Sequence, residues 1–398
     1  MTKQIQDAYI VAALRTPVGK APRGVFRNTR PDDLLAHVLR EVLDQCAAVD
    51  PARIGDVVIG CAMPEAEQGM NVARIGSLLA GIPDSVPAMT LNRFCSSGVQ
   101  AVATAADRIR MGDADLMLAG GTESMSMVPM MGHKVAMNPA IFTDENIGIA
   151  YGMGITAENV ASEWKITREQ QDAFALQSHQ RSIAAQDRGD FSDEIAPYPL
   201  DDRYPDLTTR GVIEDKRLIA ADEGPRRDTS AEALAKLRPV FKVNGSVTAG
   251  NSSQTSDGAG AVMLASEQAI KDYGLTPLAR FVGYSVAGVP PRIMGIGPKE
   301  AIPKALKQTG IKQDDLDWIE LNEAFAAQSL AVIRDLGLDP VKVNPLGGAI
   351  ALGHPLGATG AIRVATLVHG LRRRKQKYGM VTMCIGTGMG AAGIFEAL

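Results

Sequence analysis

Leu116-Met-Leu-Ala-Gly-Gly-Thr122 is an apolar run that ends in glycine, and Val381-Thr-Met-Cys-Ile-Gly-Thr387 repeats its form 265 residues later. Short apolar runs bounded by turn residues read as buried strands. A neighbouring offset of 262 residues puts Ile54 on Leu316, Val57 on Ile319 and Gly98 on Gly360. In each half, helix-forming sequence then leads into an apolar strand. Any two strand–helix–strand stretches share that texture, but here order and spacing also agree. The pattern predicts a duplicated α/β chain.

Working outward, residues 8–13 read as a strand and residues 32–43 as an amphipathic helix, with Leu34, Leu35, Val38, Leu39 and Val42 on one stripe. Residues 56–60 and 114–120 read as further strands, the latter ending at Gly120-Gly121. Residues 71–80 read as a helix stopped by Gly81. Strands alternating with helices argue for an α/β sheet. From residue 124 the texture changes. Methionines crowd residues 125–137, a polar helix covers residues 167–187, and a Pro- and Asp-rich stretch over 196–228 reads as loop. The predicted division is therefore an N-terminal α/β half at 1–123, completed by about 249–272, an inserted loop domain at 124–248, and a C-terminal α/β half at 273–398.

The bulk composition excludes several classes. Apolar residues are 45% and charged residues 22%, ordinary for a globular chain. A net charge of −4 gives no general pull towards nucleic acid or membrane surfaces. No apolar run is long enough to span a membrane. The first twenty residues lack a signal-length apolar stretch, and the last match no Ser-Lys-Leu address, so a bacterial cytoplasm is the expected location. Cys46, Cys61, Cys95 and Cys384 lack metal or redox spacing and read as reduced thiols; no metal site is expected.

Cys95 lies in Leu91-Asn-Arg-Phe-Cys-Ser-Ser-Gly98, ahead of a helix that carries Val99, Val102, Ala106 and Ile109 on one face. Helix-start N–H groups and the helix dipole lower a thiol's pKa, so Cys95 reads as a nucleophile or else as a buried structural thiol. His354 sits in Gly353-His-Pro-Leu-Gly357, a rigid turn before a helix, which suits a base. Cys384 ends a strand before Gly386-Thr-Gly-Met-Gly390, whose N–H groups suit an oxyanion, with a core cysteine as the alternative. Asn322 follows an apolar strand and reads as a hydrogen-bond donor or a cap. The polar turn Asn251-Ser-Ser-Gln-Thr-Ser-Asp-Gly258 either faces a ligand or fills a loop. The run Arg372-Arg-Arg-Lys375 reads as a solvated helix end.

Together these stretches resemble the thiolase family over essentially the whole chain. Arg15-Thr-Pro17, Asn92-Arg-Phe-Cys-Ser-Ser-Gly98, Ala119-Gly-Gly-Thr-Glu-Ser-Met125, Gly154-Ile-Thr-Ala-Glu-Asn-Val160, Thr248-Ala-Gly-Asn-Ser-Ser253 and Asn322-Glu-Ala-Phe325 carry the resemblance with the His354 and Cys384 motifs. It implies a duplicated α-β-α-β-α layered fold with an inserted loop domain. It implies an acyl thioester on Cys95, His354 as base, Cys384 as second acid/base, and Asn322 holding a water beside the enolate. It implies an oxyanion hole from the N–H groups of Cys95 and Gly386. Coenzyme A would be co-substrate, with no tightly bound cofactor, contacting Ser253 and Arg226, although Arg227 lies beside the latter. The motif details resemble the degradative 3-ketoacyl-CoA branch more than acetoacetyl-CoA members. A histidine that some short-chain members carry is replaced here by Gly152. Cys384 argues against a fatty-acid condensing enzyme, and the presence of Cys95 and His354 argues against a non-catalytic lipid carrier. A homodimer or homotetramer is implied, with acyl-CoA and CoA as substrates and a β-oxidation hydratase/dehydrogenase as a further partner.

Overall fold

The structure, a computed structural model, describes residues 5–398. Residues 1–4, the beginning of the stretch read as lacking a signal, lie outside the described residues. The chain opens with β1 (Tyr9–Arg15), the short β2 (Gly19–Lys20) and helix α1 (Pro31–Gln45). There follow β3 (Val57–Gly60), α2 (Val72–Leu79), β4 (Ala88–Leu91), α3 (Ser97–Arg110) and β5 (Leu116–Ser124). Next come α4 (Met153–Glu163), α5 (Arg168–Arg188), the hairpin β6 (Tyr198–Pro205) and β7 (Val212–Ile219), and α6 (Ala231–Ala235). The remainder is β8 (Ser256–Ala265), α7 (Glu267–Tyr273), β9 (Ala279–Gly288), α8 (Gly297–Thr309), β10 (Leu316–Leu321), α9 (Ala326–Leu336), α10 (Ala349–Leu352), α11 (Leu356–Arg373), β11 (Tyr378–Ile385) and β12 (Met389–Ala397).

Ten strands form one hydrogen-bonded sheet in the order β10-β11-β12-β9-β1-β8-β5-β3-β4, with β2 paired to β8. The order reads alike outward from the β1–β9 contact. Here β1–β8 and β8–β5 are antiparallel and β5–β3 parallel, while β9–β12 and β12–β11 are antiparallel and β11–β10 parallel. The duplication read from the sequence is thus a duplication of topology.

Strand alternation builds the layers. Leu116 and Leu118 of β5 pack with Leu34, Leu35, Val38 and Leu39 of α1 on one face. Met117 and Ala119 point the other way, onto Val99 and Val102 of α3 and Val364 and Val368 of α11. The same central cluster takes in Val381 and Met383 of β11, while Met380 faces Ile302 of α8 and Val332 of α9. Helix, half-sheet, paired helices, half-sheet and helix follow in turn, each apolar face covered. At the centre Gly98 and Gly360 meet. A Cβ on Gly360 would lie 2.1 Å from the Val99 nitrogen, and one on Gly98 2.5 Å from the Ala361 nitrogen.

Two local expectations change. The Gly120-Gly121 pair does not end its strand, because β5 runs on to Ser124. The glycines permit close approach: a Cβ would stand 2.4 Å from the Gly260 oxygen and 2.2 Å from the Gly357 oxygen, respectively. The Pro- and Asp-rich stretch contains an antiparallel hairpin, not only loop. Its apolar signal was faint because Leu200 and Ile219 are the residues it buries into the α1 cluster. The segment beyond it is pinned by buried charge. Arg15 reaches Glu194 at 2.6 Å and grips Asp222 at 2.7 and 2.9 Å, and Asp222 also accepts from the Val18 N–H.

Candidate active site

The α3 end of the central layer carries Cys95. Phe94–Ser96 is a single 3-10 turn, and α3 starts at Ser97, whose hydroxyl accepts from the Arg93 N–H and donates to the Phe94 carbonyl. Asn92 fastens this turn from the other side, accepting from the Phe94 N–H and donating to the Ala62 carbonyl. Cys95 is partly exposed, and the Cys95 and Gly386 N–H groups are directed at its sulfur. Those donors lower its pKa, but burial outweighs them and pushes the thiol up to about 11. This corrects the sequence expectation of a depressed pKa: the helix-start donors are present, but desolvation is larger. Glu123 adds to the rise.

The Gly353-His354-Pro355 turn places His354 beside Asn322. Nε2 lies 3.3 Å from the Asn322 amide nitrogen and Nδ1 2.6 Å from the Thr359 hydroxyl. An amide N–H only donates, so Nε2 is the acceptor and the ring proton sits on Nδ1, facing Thr359. Burial, helped by the positive charge of Arg363, pushes His354 down to about 3, so the imidazole is neutral. The Asn322 carbonyl oxygen is buried without a protein partner, which leaves an acceptor for a water or a substrate. Asn322 is not a helix cap, since α9 begins only at Ala326.

Cys384 is buried near the end of β11, among Met153, Ala157, Ala324 and Phe325. Asn322 joins the same strand through its N–H to the Thr382 carbonyl at 2.9 Å. Burial and then the neighbouring Cys95 raise the Cys384 thiol well above its ordinary value, so it is a protonated donor. Leu356, two residues past His354, packs against Cys95. The structure therefore draws Cys95, Asn322, His354, Cys384 and Gly386 into one region from four separate stretches.

Two cavities flank it. One of about 550 Å³ contains Cys95 and Gly386 and is lined by Met130, Met131, Met137 and Met153. Gly152 is also on its wall, where a histidine would narrow it. The other, about 610 Å³, holds Arg226 and Ser253 with Lys20, His179 and Phe241. Arg226 lines this cavity, whereas Arg227 turns away to pair with Asp187. The Arg226 N–H donates to His179 Nδ1 at 3.2 Å. Ser253 is tied to the Asn322 loop through its N–H to the Ala324 carbonyl at 2.9 Å.

Sequence reading missed Thr359, Lys20 and His179. Thr359 had a usable signal, lying in the first turn of the helix that follows the His354 turn, but Lys20 and His179 reach their cavity only through tertiary folding. Among the described residues, no group of three or more His, Cys, Asp or Glu is placed to hold a metal ion, and no helix is long and apolar enough to cross a membrane.

Residues 8–268 match the family described as thiolase, N-terminal domain, and residues 275–397 match thiolase, C-terminal domain. A 3-ketoacyl-CoA thiolase of Bacillus subtilis (strain 168) is 50% identical, with 98% of this chain and 100% of the relative covered. The peroxisomal 3-ketoacyl-CoA thiolase B of Mus musculus is 47% identical, covering 98% of this chain and 91% of the relative. The crystal structure of human mitochondrial 3-ketoacyl-CoA thiolase superposes with a TM-score of 0.88 at 42% identity, covering 99% of each chain. That of the Bacillus anthracis acetyl-CoA acetyltransferase gives 0.89 at 40% identity, covering 100% of each. With both family domains matched in order and the site assembled between its two halves, the chain belongs to the thiolase family.

Proposed function

We propose that this acyltransferase is a 3-ketoacyl-CoA thiolase, cleaving its substrate with CoA into acetyl-CoA and an acyl-CoA two carbons shorter. The observation that carries the reading is a partly exposed thiol, Cys95, at a Met-lined cavity, with a neutral histidine and a second, protonated thiol in the same site.

Both Cys95 and His354 rest uncharged at neutral pH, so the nucleophile is made on demand. His354 Nε2 takes the Cys95 proton as the sulfur adds to the 3-keto carbon. The N–H groups of Cys95 and Gly386, preset at the sulfur, hold the oxyanion. The bond between C2 and C3 then breaks, its electron pair passes to C2, and the Cys384 thiol protonates that carbon. Acetyl-CoA leaves, and Asn322, with a water on its free carbonyl, supports the enolate charge. His354 then gives up the proton it took from Cys95, which restores the Cys384 thiol, and the neutral imidazole accepts the proton of a CoA thiol as that sulfur attacks the acyl–Cys95 thioester and returns it to the departing Cys95 sulfur. Arg226 and Ser253 hold coenzyme A in the 610 Å³ cavity. The methionines give the acyl side an adaptable apolar wall, because an unbranched thioether fits irregular shapes.

The family pattern further supports a cytoplasmic homodimer or homotetramer serving β-oxidation, with a hydratase/dehydrogenase as a further partner. Intact-protein mass spectrometry after addition of acetoacetyl-CoA should show one acetyl adduct, mapped to Cys95. Thiolysis should extend to 3-ketoacyl-CoA of medium chain length. Cleavage of acetoacetyl-CoA alone would instead indicate an acetyl-CoA C-acetyltransferase.

A further inference from the structure

We infer that Arg363 is a positioning residue, whose buried guanidinium ties the strand leading into Asn322 to the turn bearing His354 and so fixes the His354 ring; the inference rests on the catalytic reading of those two residues.

Arg363 lies on α11 one helical turn beyond Thr359, so the two side chains share a face. Thr359 holds His354 Nδ1 at 2.6 Å, and Arg363 donates to the Gly353 carbonyl, the residue before His354, at 3.5 Å. In the other direction Arg363 meets Glu320 of β10 at 3.7 Å, two residues before Asn322. The side chains of Arg363 and Glu320 are 3% and 1% exposed. One side chain thus touches both segments whose relative placement sets the 3.3 Å contact between Asn322 and His354.

A purely structural role explains this arrangement poorly. Two buried charges are costly unless their geometry is close and every polar atom is satisfied. Here the ionic contact is long, and one Glu320 oxygen has no hydrogen bond, although the other accepts from the Trp318 indole at 2.7 Å. A well-packed apolar residue would stabilise this part of the core at least as well. What it would not supply is a fixed positive charge beside the imidazole, where it opposes imidazolium.

The other charged groups are already committed. Glu323, two residues past the end of the same strand, accepts from Ser178, Asn344 and the Ile350 N–H, and Glu194 is held by Arg15 at 2.6 Å. Cys95 and Cys384, on the substrate side, are thiols raised above neutrality. Arg363 is therefore the group left to set the electrostatics behind His354; Glu320, its direct partner, offsets that charge only in part, because burial pushes the Glu320 carboxyl up to about 7 although Arg363 lowers it.

The test compares the full-length enzyme with Arg363→Met, Arg363→Lys and Glu320→Gln. Nitrogen-15 spectra of labelled histidines at pH 7 report each ring's tautomer, and His354→Asn assigns the His354 signals among the five histidines. The wild type should show a single neutral form protonated at Nδ1. Arg363→Met should give a mixture of ring states and lower kcat for thiolysis about a hundredfold, the scale of a misplaced reacting group, with KM for CoA changed less than about twofold. Arg363→Lys should recover part of both effects. Glu320→Gln keeps the Trp318 acceptor but frees the guanidinium, and should shift the His354 signals in the same sense. Should Arg363→Met fail to fold, Glu320→Gln decides. Unchanged His354 signals and kcat in the folded variants, with only a lower melting temperature, would overturn the inference. Full thiolysis by His354→Asn would instead overturn the catalytic reading, while the spectra would still judge the Arg363 placement.

Discussion

Cys95 and Cys384 are both thiols held above neutrality, yet they face different work. In the proposed mechanism the Cys95 thioester forms in the first half-reaction and is broken in the second, whereas Cys384 is needed only when a carbon must gain or lose a proton. Cys95→Ser should lower thiolysis about a thousandfold or more, because a hydroxyl is a far weaker nucleophile than a thiol and its proton is much harder for His354 to remove. Cys384→Ser should lose cleavage of 3-ketoacyl-CoA yet keep exchange of an acyl-CoA with labelled CoA, since that exchange breaks no C–C bond. Equal loss of both activities would remove the distinction between the two thiols. His354 adds a stability signature. It is neutral in the fold down to about 3, while its ordinary value is 6.5. Between those values the unfolded chain binds a proton that the folded chain does not, so stability falls as pH drops through this window. The loss is about 1.4 kcal/mol per pH unit. Urea melts of wild type and His354→Asn at pH 7 and pH 5 should show the smaller acid loss in the variant; the same loss in both would refute this account. The residue types at these positions were legible in the sequence. The sign of the Cys95 shift was not, because desolvation depends on what covers the thiol, and that cover comes from distant segments.

The α3–α11 crossing decides where Cys95 and His354 stand. Both helices begin at the site, and they meet through Gly98 and Gly360, equivalent positions of the two halves. A methyl group at 360 would fall 2.1 Å from a backbone nitrogen, so neither side chain nor rotamer can relieve it. Gly360→Ala should therefore destabilise the chain by about 3 kcal/mol, at the upper end of ordinary overpacking. It should also slow acylation of Cys95 by separating the two helix starts. Chemical denaturation and the rate of acetyl adduct formation measure the two effects, and a neutral outcome in both would show that the crossing tolerates a side chain. The match of Gly98 to Gly360 was visible at the 262-residue offset. Their contact was not, since equivalence in a repeat says nothing about mutual distance.

At the scale of the whole molecule, the inserted segment is joined to the duplicated core by buried charge as well as by apolar packing. Arg15 is 1% exposed, and its partners Glu194 and Asp222 come from distant parts of the chain. Together they hold its pKa above the ordinary arginine value, even though burial itself lowers it. Arg15→Met leaves two buried carboxylates without their cation and should cost about 3–5 kcal/mol. Because Asp222 stands four residues before Arg226, KM for CoA should rise more than KM for the ketoacyl substrate. Urea denaturation and steady-state kinetics check both parts; unchanged stability would mean that the carboxylates take up protons at little cost.

The sequence by itself determined the α/β class, the duplication and which side chains are proposed as reactive. These depend on local pattern: period-two and helical spacing, glycine at strand ends, and short motifs that survive as contiguous runs. It concealed the β6–β7 hairpin, whose buried face is reduced to Leu200 and Ile219, and the true role of Gly120-Gly121 as a site of close backbone approach. Only the tertiary structure decided that the two halves share a single sheet, that Arg226 and not Arg227 reaches the cavity, and that His354 stands between Asn322 and Thr359. The reason is common to all three: each depends on contacts between chain segments far apart in sequence, or on which way a side chain turns, and neither leaves a mark in local spacing.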